Sequence, residues 1–425
     1  MANFAQRKVA RESIEGSNPN DIDGLSNVEP GHENLDTQLA EMVSEDAMLE
    51  QLEGDGETLT ADIDRTESAV DAAGEAEANG EEMSEESIAH TEVAQESIRR
   101  RWGLDVPRVA RESYRRGRGM TKAARESWKD TLKGLWERFL ELVKSVINKI
   151  KDVKLKYINV GKSAQSRAKK YQAAIRNLGK KNKDEIGGSW ITKLSIDGKF
   201  DPEQCAVIGK DVTTGKAKGA INALQKQAGQ AEVVVTKAAD GSEAVVTHGF
   251  YDPIELFGTA ASKLQNLPEF EDGEAQRLQA LPGNAYIQSG KKSLNGIDFA
   301  AVGFMSTGDQ HEDKTVPTPE ISKLNASASA LDVIGKGFEK VLQDFRSYDS
   351  EIEKLVRAAD KAAAALDKAD DTEEARKSLG AARSVADQSV KNYQTLYRAV
   401  SYTANTVIAG LNGYIGAAIG AYAKR

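Results

Sequence analysis

The sequence predicts a mostly helical α+β protein with a disordered acidic N-terminal segment, and three observations predict it. Apolar residues recur at spacings of three and four over long stretches of the 425-residue chain, which is typical of amphipathic helices. Short β-type runs lie only between about residues 187 and 317. The acidic excess is almost wholly N-terminal, because residues 13–96 hold 25 acidic residues and one basic residue.

Residues 1–96 are the first segment, and we expect them to be disordered or at most transiently helical. A chain of this composition buries too little apolar surface to offset the entropy of ordering it. Within the segment, residues 36–52 carry enough apolar residues at helical spacing for a short amphipathic helix.

Residues 97–126 are a basic linker with ten basic and three acidic residues. Arginines interspersed with Trp102 and Tyr114 suit phosphate contacts with base stacking. They equally suit pairing with the acidic segment upstream, and a plain solvated linker is the simplest interpretation.

The apolar spacing and basic composition of residues 127–186 predict basic amphipathic helices. From Trp128 to Ile150 apolar residues recur every three or four positions, with Ser127 as the expected N-cap and Asp130 in the first turn. A second helical stretch, 163–178, is rich in Lys and Arg. Core packing and membrane-surface binding both fit such helices, and core packing is the commoner.

Residues 187–317 predict a small α+β subdomain. Helical pieces are expected near 216–230 and 253–266, and Ala239 to Ser242 is typical of a hairpin turn. The five expected strands begin at Trp190, Glu232, Ala244, Ala285 and Ile297.

Residues 318–425 predict an antiparallel helical bundle rich in Ala, with helices over 319–345, 347–369, 372–400 and 402–423. Near the end, small residues recur at near-helical spacing. They predict either a close helix contact between subunits or a membrane-active tail, and they are Gly410, Gly413, Gly416 and Gly420.

A short motif recurs five times between Ala10 and Trp128: a small residue, any residue, Glu, Ser and a bulky apolar residue. Successive copies are spaced irregularly along the chain, so they are not units of a solenoid. Helix fragments are one interpretation. A recognition sequence for a processing protease is the sharper one, because such a site needs flexible chain but no fixed spacing. The candidate cleavage sites are Glu12–Ser13, Glu86–Ser87, Glu96–Ser97, Glu112–Ser113 and Glu126–Ser127.

The composition argues against catalytic and metal sites. A single cysteine, Cys205, excludes an internal disulfide framework and a multi-cysteine metal site. Gly161-Lys162-Ser163 does not complete a phosphate-binding loop, since Lys156 replaces its first glycine. We expect no enzyme, cofactor, metal or small-molecule substrate, and neither a secretory signal nor a transmembrane run is expected.

The motif resembles the processing rule of the prohead proteases of giant phiKZ-like tailed phages, which cut after Glu in a small-x-Glu context. The small position is held by Ala10, Ser84, Ala94, Ala110 and Ala124. An acidic removable segment before a mature domain is similar to the layout of the internal head, or inner-body, proteins of these phages. This resemblance covers the chain from its first residue to about Trp128.

The resemblance implies a structural virion protein inside the head, made in the host cytoplasm as a precursor. Residues 1–96 would be an acidic propeptide, removed by the prohead protease during capsid maturation. The other expected partners are head proteins, with packaged DNA, and ejection with it, as open options. Cutting before Ser127 would take the net charge from −9 to +6. The alternative is a nucleic-acid- or membrane-binding effector with an unprocessed acidic tail.

Overall fold

Long α-helices dominate the computed structural model, which describes residues 35–80, 85–104, 119–242, 274–294, 297–307, 314–366 and 373–424. This confirms the predicted mostly helical α+β class. The helices are α1 Leu35–Ala78, α2 Glu85–Trp102, α3 Gly119–Arg176, α4 Trp190–Lys193, α5 Pro202–Thr214, α6 Lys216–Ala239, α7 Ile321–Leu366 and α8 Glu373–Ile419.

Most strands are short, and the three longer ones form one antiparallel sheet. They are β1 Leu178–Lys181, β2 Glu185–Gly187, β3 Ser195–Ile196, β4 Lys199–Phe200, β5 Glu274–Leu281, β6 Ala285–Leu294, β7 Ile297–Ser306, β8 Thr315–Pro317 and β9 Tyr422–Lys424. The sheet has the order β5-β6-β7, and the other strands pair as β1-β9, β2-β8 and β3-β4. The expected strands that begin at Ala285 and Ile297 are confirmed.

The body of the molecule is built on α3, α7 and α8, which share one core. Helices α3 and α7 are in close backbone contact at two glycines. A Cβ on Gly161 would lie 2.7 Å from the carbonyl oxygen of Gly335, so only glycine permits this backbone distance. The three-stranded sheet is fixed to α8 by Asn392, whose amide donates to the carbonyl of Ala300 at 2.7 Å and accepts from the Val302 N–H at 3.0 Å.

Three predictions in the middle of the chain are wrong. The run that begins at Glu232 lies inside α6, the run that begins at Trp190 starts with the short helix α4, and residues 239–242 end α6 instead of forming a hairpin. The valines of α6 show the reason: Val234 and Val235 are buried while Val233 is 49% exposed, so a helical face decides their burial and overrides β-propensity. The run that begins at Ala244 and the helix near 253–266 lie outside the described residues.

Several predicted helices are merged into longer ones. The expected helices over 319–345 and 347–369 belong to α7, those over 372–400 and 402–423 to α8, and both basic stretches of 127–186 to α3. Because α3 begins at Gly119, Ser127 lies inside the helix, and the prediction that it is an N-cap is wrong.

The small residues near the C-terminus serve contacts within this chain. A Cβ on Gly410 would lie 2.7 Å from the Leu194 side chain, and one on Gly413 would lie 2.8 Å from Trp190. In the part of the chain that the structure describes, none of the helices combines the length and the hydropathy that a membrane span requires.

Candidate processing site

The acidic segment is helical where the structure describes it. Helix α1 carries fourteen acidic residues and one basic residue, yet one face of it is apolar and buried against α3 and α8. The buried side chains are Leu35, Leu39, Met42, Leu49, Leu59 and Ile63. The predicted helix over 36–52 lies within α1 and is confirmed. The expectation of disorder is wrong over the rest of 35–80 and over 85–96, because the body supplies an apolar surface that composition alone does not show.

On α8, Arg398 is the centre of an acidic cluster from α1. It pairs with Glu53, with Asp46 at 3.5 Å and with Glu50 at 3.6 Å, and its side chain is only 6% exposed. Burial lowers the pKa of Arg398, but the carboxylates outweigh this effect and the pKa lies above its ordinary value. Burial also raises the pKa of Asp46, against the opposing charge of Arg398.

Arg383, about four helical turns before Arg398 on the same helix, is arranged in the same way. Its side chain is 1% exposed and pairs with Asp64 and with Glu67, the latter at 3.1 Å. Between the two arginines, Lys391 pairs with Glu57 at 2.7 Å. The cations along this face of α8 are thus matched by carboxylates along α1.

Helix α3 adds two lysines that meet the carboxylate of Glu45. Lys149 pairs with one carboxylate oxygen, and Lys156 donates to the other at 2.6 Å. Burial raises the pKa of Glu45, but the two lysines outweigh it and hold the pKa below its usual value. At the start of α1, Asp36 accepts a hydrogen bond from the Asn412 amide at 2.8 Å and lies 3.8 Å from Arg167.

A cavity of about 380 Å³ interrupts this contact between α1, α3 and α8. Asp387 lines it and accepts a hydrogen bond from the Thr60 hydroxyl at 3.1 Å. Burial raises the pKa of Asp387 above its ordinary range, with Arg383 opposing the shift. The middle of the interface therefore contains a buried carboxyl group beside the cavity.

The last candidate cleavage site lies inside α3, in a buried network made with α2. Ser127 is 4% exposed, while Glu126 before it is exposed. The Gln95 amide donates to the Ser127 carbonyl at 2.9 Å and to the Thr131 hydroxyl at 2.8 Å. Arg99 donates to the Ser127 hydroxyl at 2.9 Å and to the Thr131 hydroxyl at 3.0 Å.

Helix α1 covers the same site from another side. Trp128, which follows Ser127, is buried against Val70 of α1. Arg125, which precedes Glu126, donates to Glu77 at 2.8 Å. A protease binds its substrate as extended chain. In this structure the Glu126–Ser127 bond is helical and held by both N-terminal helices, so an extended conformation at this bond requires the helix to open.

The other candidate sites differ in how much of them is described. Glu96–Ser97 lies inside α2, with Ser97 exposed and the neighbouring Gln95 and Ile98 buried. Glu86–Ser87 lies at the beginning of α2. Glu12–Ser13 and Glu112–Ser113 lie outside the described residues. The structure thus brings Glu96–Ser97 and Glu126–Ser127 together, with Gln95 and Arg99 joining them.

Sequence reasoning missed the residues that hold α1 on the body. Arg383, Lys391 and Arg398 are spaced by eight and seven positions, which puts them on one helical face, and this spacing was the available signal. Among the described residues no group of three or more histidine, cysteine or acidic residues could hold a metal ion.

Comparison with protein families extends the resemblance from the N-terminal motifs to the body. The family model of the phiKZ-like phage internal head proteins matches residues 44–417, from within α1 to within α8. No curated protein and no solved structure matches the chain. Since the family match spans most of the sequence, the chain belongs to the phiKZ-like phage internal head proteins, which lie inside the capsid of the virion.

Proposed function

We propose that this internal head protein is made as a precursor and that the phage prohead protease removes its acidic N-terminal part. The observation that carries the proposal is the placement of α1, an acidic helix between Glu12 and Glu86 whose carboxylates cover the cations of the body. The acidic part keeps those cations neutralised during assembly, and the product beginning at Ser127 is the form that acts in the mature head.

The processing experiment incubates the purified full-length precursor with the prohead protease and identifies the new N-termini by mass spectrometry. Glu126→Gln removes the acidic side chain that the motif requires, so we expect no product beginning at Ser127 while the other cuts persist. Glu137→Gln is the matched control, since Glu137 is an exposed residue of the same helix outside any motif copy. A Ser127 product from the Glu126→Gln variant would contradict the proposed specificity.

We further propose that the processed protein contacts packaged DNA. Loss of residues 1–126 changes the net charge from −9 to +6 and uncovers Arg383, Lys391 and Arg398 on α8 with Lys149 and Lys156 on α3. A cationic surface binds the phosphate backbone without sequence preference, and its affinity falls steeply with salt.

This part is tested by comparing the precursor with the processed protein isolated from mature particles. At low salt we expect the processed protein to bind double-stranded DNA more than about tenfold tighter, with an affinity that falls as salt is raised. A gel-shift titration at two salt concentrations measures both effects. Equal affinities at low salt would refute the DNA contact and leave the processing proposal standing.

A further inference from the structure

We infer that cutting alone does not release the acidic propeptide: the fragment containing α1 stays bound to the surface formed by α3 and α8, and its release is a separate step. The inference rests on the proposed cuts after Glu12 and Glu86. The occupant of this surface is residues 13–86 of the same chain, which stay bound to it after the peptide bonds are broken.

The proposed cuts would leave α1 in one piece. Residues 13–86 contain the whole of α1, and no copy of the motif lies between Glu12 and Ser84. The one internal Glu-Ser pair, Glu67–Ser68, has Arg65 and Ala69 where the motif needs a small and a bulky residue. The helix that holds the contacts is therefore not divided by the proposed cuts.

The contacts of α1 include an apolar face that needs no covalent link. Met42, Leu49, Leu59 and Ile63 are each at most 1% exposed. Burial of side chains of this size removes apolar surface from water, which is the main favourable contribution to association. The apolar face favours association in the nicked protein as it does in the intact chain.

The ion pairs oppose dissociation because the cations are almost fully enclosed. Arg383 and Arg398 have side chains 1% and 6% exposed, and their carboxylate partners come from α1. Departure of α1 would break both sets of ion pairs, and their Coulomb attraction opposes it, while hydration of the freed charges offsets part of that attraction. Loss of a single carboxylate while α1 stays bound is unfavourable, because it leaves an arginine buried with less counter-charge.

The net charges of the fragment and of the body also oppose dissociation. Residues 13–86 hold 23 acidic residues and one basic residue, whereas residues 127–425 hold 43 basic and 37 acidic residues. Opposite net charges hold the two parts together, and salt or a competing polyanion weakens that attraction.

Retention of α1 also governs the last cut. While α1 remains in place, Val70 covers Trp128 and Glu77 holds Arg125, so the Glu126–Ser127 bond stays protected on both sides. Release of the fragment therefore precedes efficient cutting after Glu126.

The test uses the full chain with residues 84–88 replaced by the recognition sequence of an unrelated site-specific protease and with an affinity tag at the C-terminus. The folded protein is cut, immobilised through the tag and washed at rising salt. We expect the fragment that ends at the cut to remain bound at about 0.15 M NaCl. Its complete loss in that wash would overturn the inference.

A matched pair of variants shows whether the described contacts hold the fragment. Glu53→Gln removes a carboxylate that pairs with Arg398, whereas Asp55→Asn alters an exposed carboxylate of the same helix. We expect the Glu53→Gln fragment to dissociate at least about tenfold faster. The Asp55→Asn fragment should behave like the unmodified one, and equal rates for both variants would overturn the assigned surface.

This experiment is independent of the phage enzyme. If the prohead protease does not cut after Glu86, the proposed function fails while the retention result stands. If the enzyme cuts and the fragment washes away, processing stands and the retention step fails.

Discussion

At the residue scale, the body contains one buried ion pair that differs from the ion pairs on its surface. Lys154 of α3 is 8% exposed, and its ammonium donates to both carboxylate oxygens of Asp349 at 2.6 Å. The Tyr393 hydroxyl donates to the same carboxylate at 2.6 Å. Burial lowers the pKa of Lys154, and Asp349 opposes that shift. The lysine depends on its partner to remain charged in the core.

We expect Asp349→Asn to lower the free energy of unfolding by about 3–5 kcal/mol, because it leaves the Lys154 ammonium buried without its counter-charge. Asp360→Asn is the matched control, since Asp360 pairs with Lys144 between the same two helices at 3.4 Å but at the surface. That change should cost less than about 1 kcal/mol. Chemical denaturation measures both, and similar losses would contradict a special role for the buried pair.

At the element scale, the approach of α3 and α7 depends on the absence of two side chains. A Cβ on Gly335 would lie 2.7 Å from the Gly161 carbonyl oxygen and 3.2 Å from the Ala164 Cβ. The nearer of these atoms belongs to the backbone of α3, so it cannot move aside as a flexible side chain would. The helices would have to separate.

Gly335→Ala should therefore destabilise the protein by about 1–3 kcal/mol, despite the better helix propensity of alanine. Gly54→Ala in α1 is the control, because a Cβ there meets nothing within 4 Å. That change should stabilise the protein by about 0.5–1 kcal/mol. Thermal unfolding of both variants measures the direction of each change in stability. Stabilisation by Gly335→Ala would contradict the close helix contact.

The elements also show how far the sequence predicts the fold. Apolar periodicity predicted the helices of α3, α7 and α8, and the β-type runs at Ala285 and Ile297 predicted two strands of the sheet. Helix lengths were less predictable, since nothing in a local pattern decides whether adjacent helical stretches join. The valine run of α6 had the β-propensity of a strand, but tertiary packing placed it on a helix.

The acidic segment shows why local composition can wrongly predict disorder. Residues 35–78 have the charge of a disordered chain, but their carboxylates pair with Arg383 and Arg398 of α8, which lie near the other end of the sequence. Only the fold brings these residues together. The motif copies were visible in the sequence, whereas the burial of Ser127 was not, because it depends on Gln95 and Arg99 of a different helix.

At the scale of the whole molecule, the precursor is a body with its acidic part folded onto it. Helix α1 covers cations of α3 and α8, and together with α2 it encloses the bond before Ser127. The proposed maturation is therefore a sequence of steps: cutting at the beginning of α2, release of α1, and cutting inside α3. The order follows because α1, while bound, protects the Glu126–Ser127 bond inside α3.

The most direct test of this account is the N-terminal sequence and intact mass of the protein isolated from mature particles. Processing at the last motif copy should give a chain that begins at Ser127 and continues through the body, with residues 1–126 absent from it. A full-length chain beginning at Met1 or Ala2 would contradict the precursor function, and α1 would then be a permanent part of the fold.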